Sequence, residues 1–191
     1  STGVPVTLSR EPGGTPLGEK FRQILLDTAQ SDMLPLTELF LYLASRAEHT
    51  AKVVLPSLLR GEVVISDRYA DASVAYQGGG RGIGRETVER LNQVATGGVK
   101  PDVTFLMDLD PEEGIARLLK GRGEKARDRI ESEVFEFHRM VRETYLEMAE
   151  REPARFEVIN AALPRQEIAD MIARKIDGLL EKLHMETGRR P

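Results

Sequence analysis

At 191 residues the chain is long enough to bury one sizeable core and too short for two comfortable ones. A net charge of −4, with 40% hydrophobic and 30% charged residues, is ordinary for a soluble globular protein; it disfavours nucleic acid as a partner, so any basic site must be local. The absence of cysteine excludes disulfides and thiolate metal sites and fits a reducing cytoplasm. No apolar run approaches the roughly 18 residues that span a bilayer, so no membrane partner is expected, and the N-terminus lacks the basic-then-hydrophobic pattern of a signal segment.

In chain order, residues 4–8 form a β-rich run that reads as a strand, with Pro5 near its start. Residues 18–29 read as a helix with Phe21, Ile24, Leu25 and Thr28 on one stripe. Thr37 is a plausible N-cap for a long helix over 38–60, which Pro56 should kink or break near Lys52 and Gly61 should stop. Residues 62–66 read as the second strand and 87–97 as a helix. Residues 103–109 form a nearly continuous apolar run, the pattern of a strand buried on both faces.

Pro111, followed by Glu112 and Glu113, favours a helix start, and that helix should end near Lys120. A basic loop over 121–129, a helix over 131–150, a strand over 156–159 and a helix over 165–183 complete the chain, with a frayed tail from His184. Strands alternating with helices imply an α/β fold with a parallel sheet. The expected organisation is a single domain over 1–191 with a mobile basic loop at 120–130.

Several constellations could carry chemistry. Residues 10–15, Arg-Glu-Pro-Gly-Gly-Thr, follow the first strand; the glycines allow close approach and positive φ, although spacing alone fits a charged surface turn as well. The glycines at 13 and 18 nearly match a phosphate loop, but Glu19 stands where lysine is required, and the match is rejected. Asp67 and Arg68 end the second strand, where open parallel sheets bind ligands; they could serve a metal ion and a phosphate, or be a strand-end ion pair. Ser73, Tyr76 and Gln77 follow, able to read a pyrimidine edge and flank its face. The glycine-dense stretch 78–84 reads as a flexible loop.

Tyr42 and Arg46 share a helical face and could stack on and bond a base, or be a core tyrosine and a surface arginine. Residues 120–129 carry five cations in ten positions, a local anion trap or a solvated charge run. His49, His138 and His184 show neither mutual spacing nor an acidic partner, and are expected to be structural or surface residues.

Together these residues resemble bacterial thymidylate kinases, of the nucleoside monophosphate kinase group within the P-loop phosphotransferases. The resemblance runs from about Val4 to Leu183, on the ordered segments 10–14, 42–46, 67–69, 75–78, 101–104 and 128–131. It implies a P-loop kinase-like three-layer α/β fold, its parallel sheet flanked by helices, and transfer of the ATP γ-phosphoryl group to thymidine monophosphate with Mg2+. By position, Tyr42 would stack on thymine and Arg46 would bond it, with Ser73 and Gln77 on its polar edge and Tyr76 against the sugar. Arg10, Arg22 and Arg68 would hold the acceptor phosphate, Glu11 would face the sugar, and Asp67 would support the metal through water. Arg122 and Arg129 would close over the phosphates, and residues 160–164 would border adenine. A cytoplasmic homodimer paired through helices is also implied.

The chain departs from the family in one respect. The family's first strand, phosphate loop and following helix would all precede Ser1. Four strands would then leave a central gap between residues 62–66 and 103–109, and the chain as written is expected to lack turnover. A non-catalytic nucleotide-binding or dimerisation module is the alternative reading, and a kinase for another monophosphate is a third.

Overall fold

The structure, a computed structural model, describes residues 4–122 and 128–187. Four five-residue strands alternate with helices: β1 (Val6–Arg10), β2 (Val63–Asp67), β3 (Thr104–Asp108) and β4 (Phe156–Asn160). They form two parallel pairs, β1 with β2 and β3 with β4. Val6 lies opposite Val63 and Arg10 opposite Asp67, so the tips of β1 and β2 end level with one another. β2 and β3 do not pair, and the expected gap is there.

Of the expected double burial of β3 the structure shows only part. Its residues are half-buried and Met107 is 42% exposed, because no third strand pairs with it among the described residues. The outer face of the β1–β2 pair is likewise open, with Leu8 76% exposed.

Helix α1 (Pro16–Leu26) begins two residues before the expected start. Thr15 caps it by accepting from the Gly18 amide, and Pro16 occupies the first turn, where a missing N–H costs nothing. Helix α2 (Pro35–His49) starts the same way at Pro35, so Thr37 lies inside it and is not its cap. Pro56 has its effect upstream, where residues 50–54 form a π-helical turn in which the Leu55 amide bonds the Thr50 carbonyl. Helix α3 (Leu55–Leu59) follows.

After β2 come a short α4 (Ala70–Ser73) and a second π-helical turn over Val74–Gly80. The glycine-dense stretch is therefore not a flexible loop over these residues. A Cβ on Gly80 would sit 2.7 Å from Phe137 and 2.9 Å from Val141, so glycine is what lets this turn press against a helix. That helix is α7 (Phe135–Arg151). Helices α5 (Arg85–Thr96), α6 (Pro111–Arg122) and α8 (Arg165–Thr187) complete the fold. The core lies mainly between helices: Leu39 and Leu43 of α2, Val88 of α5, and Phe137, Val141 and Met148 of α7. No described helix is long and apolar enough to cross a membrane.

Candidate active site

The site is built at the carboxyl tips of β1 and β2. Strand alternation sends Ser9 and Glu11 to one side and Arg10 to the other. Both Ser9 and Glu11 meet His49: its Nε2 is 2.6 Å from Ser9 Oγ, and its Nδ1 is 2.8 Å from Glu11 Oε1. His49 thus has an acidic partner, contrary to the expectation from sequence; it lies 38 positions away, where spacing could not reveal it. Gly14, at φ +75°, makes room for this ring, since a Cβ there would meet His49 Cδ2 at 2.7 Å.

The second oxygen of Glu11 accepts from Arg46 Nε at 2.8 Å. Arg46 Nη1 donates to Ser73 Oγ at 2.9 Å and Asn92 Oδ1 at 2.7 Å, and Nη2 donates to the Tyr69 carbonyl at 3.1 Å. Four of the five guanidinium hydrogens are thereby committed, leaving one on Nη2. Arg46 is 1% exposed and Glu11 3%, so this is a buried hub and not a surface arginine.

A second buried carboxylate, Glu38, lies two helical turns earlier on α2. It accepts from Gln77 Nε2 at 2.8 Å and from Arg81 Nε and Nη2 at 3.1 and 3.0 Å. Arg129 Nη2 approaches it to 2.6 Å as an ion pair, off the angle for a hydrogen bond. Burial pushes the Glu38 pKa upward, but the hydrogen bonds from Arg81 and Gln77 and the nearby cations outweigh it and hold the carboxyl below its ordinary value. Tyr42 lies between Glu38 and Arg46 on the same helix face. Burial, followed by the charge of Glu38, pushes its phenol up to about 12, so it stays neutral.

Between these groups opens a cleft of about 250 Å³. Its wall includes Glu11, Arg22, Tyr42, Arg46, Asp67, Arg68, Ser73, Tyr76 and Gln77. Arg68 adopts φ +69°, a left-handed conformation costing about 1–2 kcal/mol for a residue with a side chain. Ser66 Oγ secures the turn by donating to the Arg68 carbonyl at 2.7 Å, and the guanidinium lies 4.8 Å from the Tyr76 ring centroid. Arg22 Nη1 donates to the Pro12 carbonyl at 3.0 Å. Among the described residues no side chain pairs with the Asp67 carboxylate.

Two residues expected in the site are placed elsewhere, and a third is already engaged. Arg10 is half exposed and ion-paired with Glu19 at 3.0 Å; alternation turns it away, and it is not on the cleft wall. Arg129 is also off the wall, with Nε donating to the Leu25 carbonyl at 2.9 Å and Nη2 held by Glu38. Glu11 is on the wall, but both its oxygens are taken by Arg46 and His49. The Arg122 side chain, most of the expected basic lid and the His184 side chain lie outside the described residues.

Glu38, His49 and Asn92 were not singled out as site residues. The signal for two of them was the spacing 38, 42, 46, 49, which puts a polar stripe on the inner face of α2. A second cavity, of about 300 Å³, lies against β3, α6 and α7 and shares Tyr76, Glu131 and His138 with the first. Its lining is largely apolar and lacks the convergent arginines, so the β1–β2 cleft is the better candidate.

A sequence profile described as thymidylate kinase matches residues 1–172. The chain belongs to the thymidylate kinase family. Curated thymidylate kinases agree along most of their length. That of Desulfosudis oleivorans is 50% identical over 171 residues, 87% of this chain and 80% of its own. That of Pelobacter propionicus is 45% identical, covering 92% and 82%. That of Symbiobacterium thermophilum is 42% identical, covering 98% and 86%. Membership carries the P-loop kinase type of α/β fold and a phosphotransferase activity, thymidine monophosphate as acceptor and ATP as co-substrate. Nothing in these matches favours the non-catalytic module.

Proposed function

We propose that the β1–β2 cleft is the acceptor site of the thymidylate kinase reaction. Arg68, aimed by its stack on Tyr76, and Arg22 hold the 5′-phosphate, since guanidinium forks suit phosphate oxygens. Tyr42 lies on the face of thymine, Tyr76 packs against the sugar, and Arg46, Ser73 and Gln77 meet the base edge. Glu11 acts at one remove, locking Arg46 through a 2.8 Å contact. The lone observation that carries this reading is the convergence of Arg22, Arg68, Tyr42, Ser73 and Gln77 on one cleft.

Phosphoryl transfer is mainly positioning and electrostatic stabilisation. The cleft fixes the acceptor phosphate where Arg68 offsets its charge, and its wall keeps water from competing for the transferred group. Mg2+ fits Asp67: the carboxylate has no described side-chain partner, and a magnesium ion that keeps its waters and phosphate oxygens needs only one or two protein carboxylates. When bound, the ion would neutralise charge on the phosphates. Among the arginines expected over those phosphates, we assign the direct role to Arg122, at the end of α6, and an anchoring role to Arg129.

The exposed Leu17 and Ile24 of α1, and Leu36 and Phe40 of α2, support a homodimer paired through these helices. The cysteine-free, acidic composition supports a cytoplasmic location and no part for nucleic acid. A coupled ATP-consumption assay with a panel of nucleoside monophosphates tests the reading, and turnover in it overturns the expectation that the chain as written is inactive. Thymidylate should be the preferred acceptor, and Arg68→Ala should cut kcat/KM by about 30-fold or more, as losing charge-assisted hydrogen bonds to a bound phosphate does. An unchanged value would rule out this cleft.

A further inference from the structure

Glu38 is wholly buried and is not itself on the cleft wall, yet it determines what the cleft offers to a base. An ionised carboxylate accepts hydrogen bonds and donates none, whereas a glutamine amide has a donating and an accepting end. With Glu38 wholly buried and 2.8 Å from Gln77 Nε2, the amide can face it only through nitrogen. Oε1 must then point the other way. No donor among the described residues reaches Oε1, and Gln77 lies on the cleft wall. Beside it, Ser73 Oγ accepts from Arg46 and keeps its own hydrogen to donate, and Arg46 keeps one Nη2 hydrogen. The wall therefore offers two donors and one acceptor. A pyrimidine with a ring N–H beside carbonyls matches that set. Cytosine, with a lone pair on the ring nitrogen and an exocyclic amine, does not.

We propose that Glu38 is a specificity-determining positioning residue: by holding the nitrogen of the Gln77 amide, it makes the cleft present an acceptor and so selects monophosphates whose base carries a protonated ring nitrogen. Arg81 and Arg129 belong to the same device. Paired with Glu38 at 3.0 and 2.6 Å, they keep it ionised, and a protonated Glu38 could hold either end of the amide. This inference rests on the reading that the base lies against Gln77.

The test compares kcat/KM for deoxythymidine and deoxycytidine monophosphate in the wild type, Gln77→Met, Glu38→Gln and the double variant. The ratio is a readout that general loosening of the fold would not move, since that would lower both values together. Gln77→Met should reduce the ratio at least tenfold. Glu38→Gln should reduce it comparably, because a neutral amide at 38 can donate to Oε1 and let Gln77 turn, and the double variant should fall no further. If Gln77→Met leaves the ratio unchanged, the base does not lie there. If Gln77→Met collapses the ratio and Glu38→Gln leaves it within twofold of wild type, the base reading stands and the role of Glu38 is refuted.

Should Glu38→Gln fail to fold, Glu38→Asp keeps the charge for the arginines but withdraws the carboxylate from Gln77. It should lower the ratio at least threefold, and an unchanged ratio would overturn the proposal. The wild type provides a check without substitution. A through-hydrogen-bond NMR coupling from Gln77 Nε2 to the Glu38 carboxyl carbon should be present, and its absence would also refute the inference.

Discussion

Replacing Arg46 with methionine isolates the hub on which the cleft wall depends. The guanidinium is 1% exposed and makes four hydrogen bonds of 2.7–3.1 Å, to Glu11, Ser73, Asn92 and the Tyr69 carbonyl. Methionine fills most of the volume but leaves the Glu11 carboxylate, 3% exposed, with His49 as its remaining side-chain partner. Removing one member of a buried ion pair typically costs about 3–5 kcal/mol, because the other charge stays desolvated. At about 2–4 °C per kcal/mol for a chain of this size, the melting temperature should drop by about 6–20 °C.

Urea unfolding followed by two probes gives the free energy and checks for two-state behaviour. Arg46→Met combined with Glu11→Gln should be less destabilised than the sum of the single changes by at least about 1 kcal/mol, since the neutral amide no longer strands a charge. Arg10→Ala is the contrast: its pair with Glu19 is half exposed, and the loss should stay within about 1 kcal/mol. A loss below about 1 kcal/mol for Arg46→Met, or additive single changes, would refute the reasoning.

Other consequences are equally direct. Tyr42→Phe should leave the thymidylate KM within about twofold, whereas Tyr42→Ala should raise it about 5–150-fold, the range of one lost base–aromatic stack of about 1–3 kcal/mol. Steady-state kinetics decides, and equal effects of the two changes would rule out stacking. Gly80→Ala should destabilise by about 1–3 kcal/mol through overpacking against Phe137 and Val141, while Gly82→Ala meets no atom within 4 Å and costs only its strained φ of +71°. Thermal melts that rank Gly82→Ala as the worse would contradict the packing described.

Glu38 also makes a pH prediction. Its folded pKa is depressed, so the unfolded chain takes up the proton first, near pH 4.3; the stabilisation is complete above that value and is lost as pH falls through the lower folded pKa. Glu38→Gln should therefore flatten the decline of stability below about pH 4.5. Identical slopes in the two proteins would be the contrary result.

Much of the fold could be read from the chain because its determinants are local. Alternating β-branched and helical periodicities placed all four strands within two residues. Helix starts were less well read, since Thr15–Pro16 and Leu34–Pro35 put proline in the first turn while the apolar stripe from Phe21 and the cap-like Thr37 suggested later starts. Pro56 was rightly expected to disturb its helix near Lys52, because a missing donor acts on the turn before it. The glycine run was misread because what holds Gly79 and Gly80 in a helical turn is α7, more than fifty positions away.

The site divides along the same line. The residues of the cleft wall were legible through their order and type, but their partners were not. Arg46 to Glu11, His49 to Glu11 and Arg129 to Glu38 span 35, 38 and 91 positions, and each is a meeting of buried polar groups that only tertiary packing creates.

The most direct test of the acceptor site is a crystal structure of the protein with thymidine monophosphate. We expect the phosphate within hydrogen-bond reach of Arg68 and Arg22, the base against the Tyr42 ring, and its ring N–H directed at Gln77 Oε1. A nucleotide seated instead in the cavity beside β3 and α7, or with its phosphate out of reach of Arg68, would contradict the assignment.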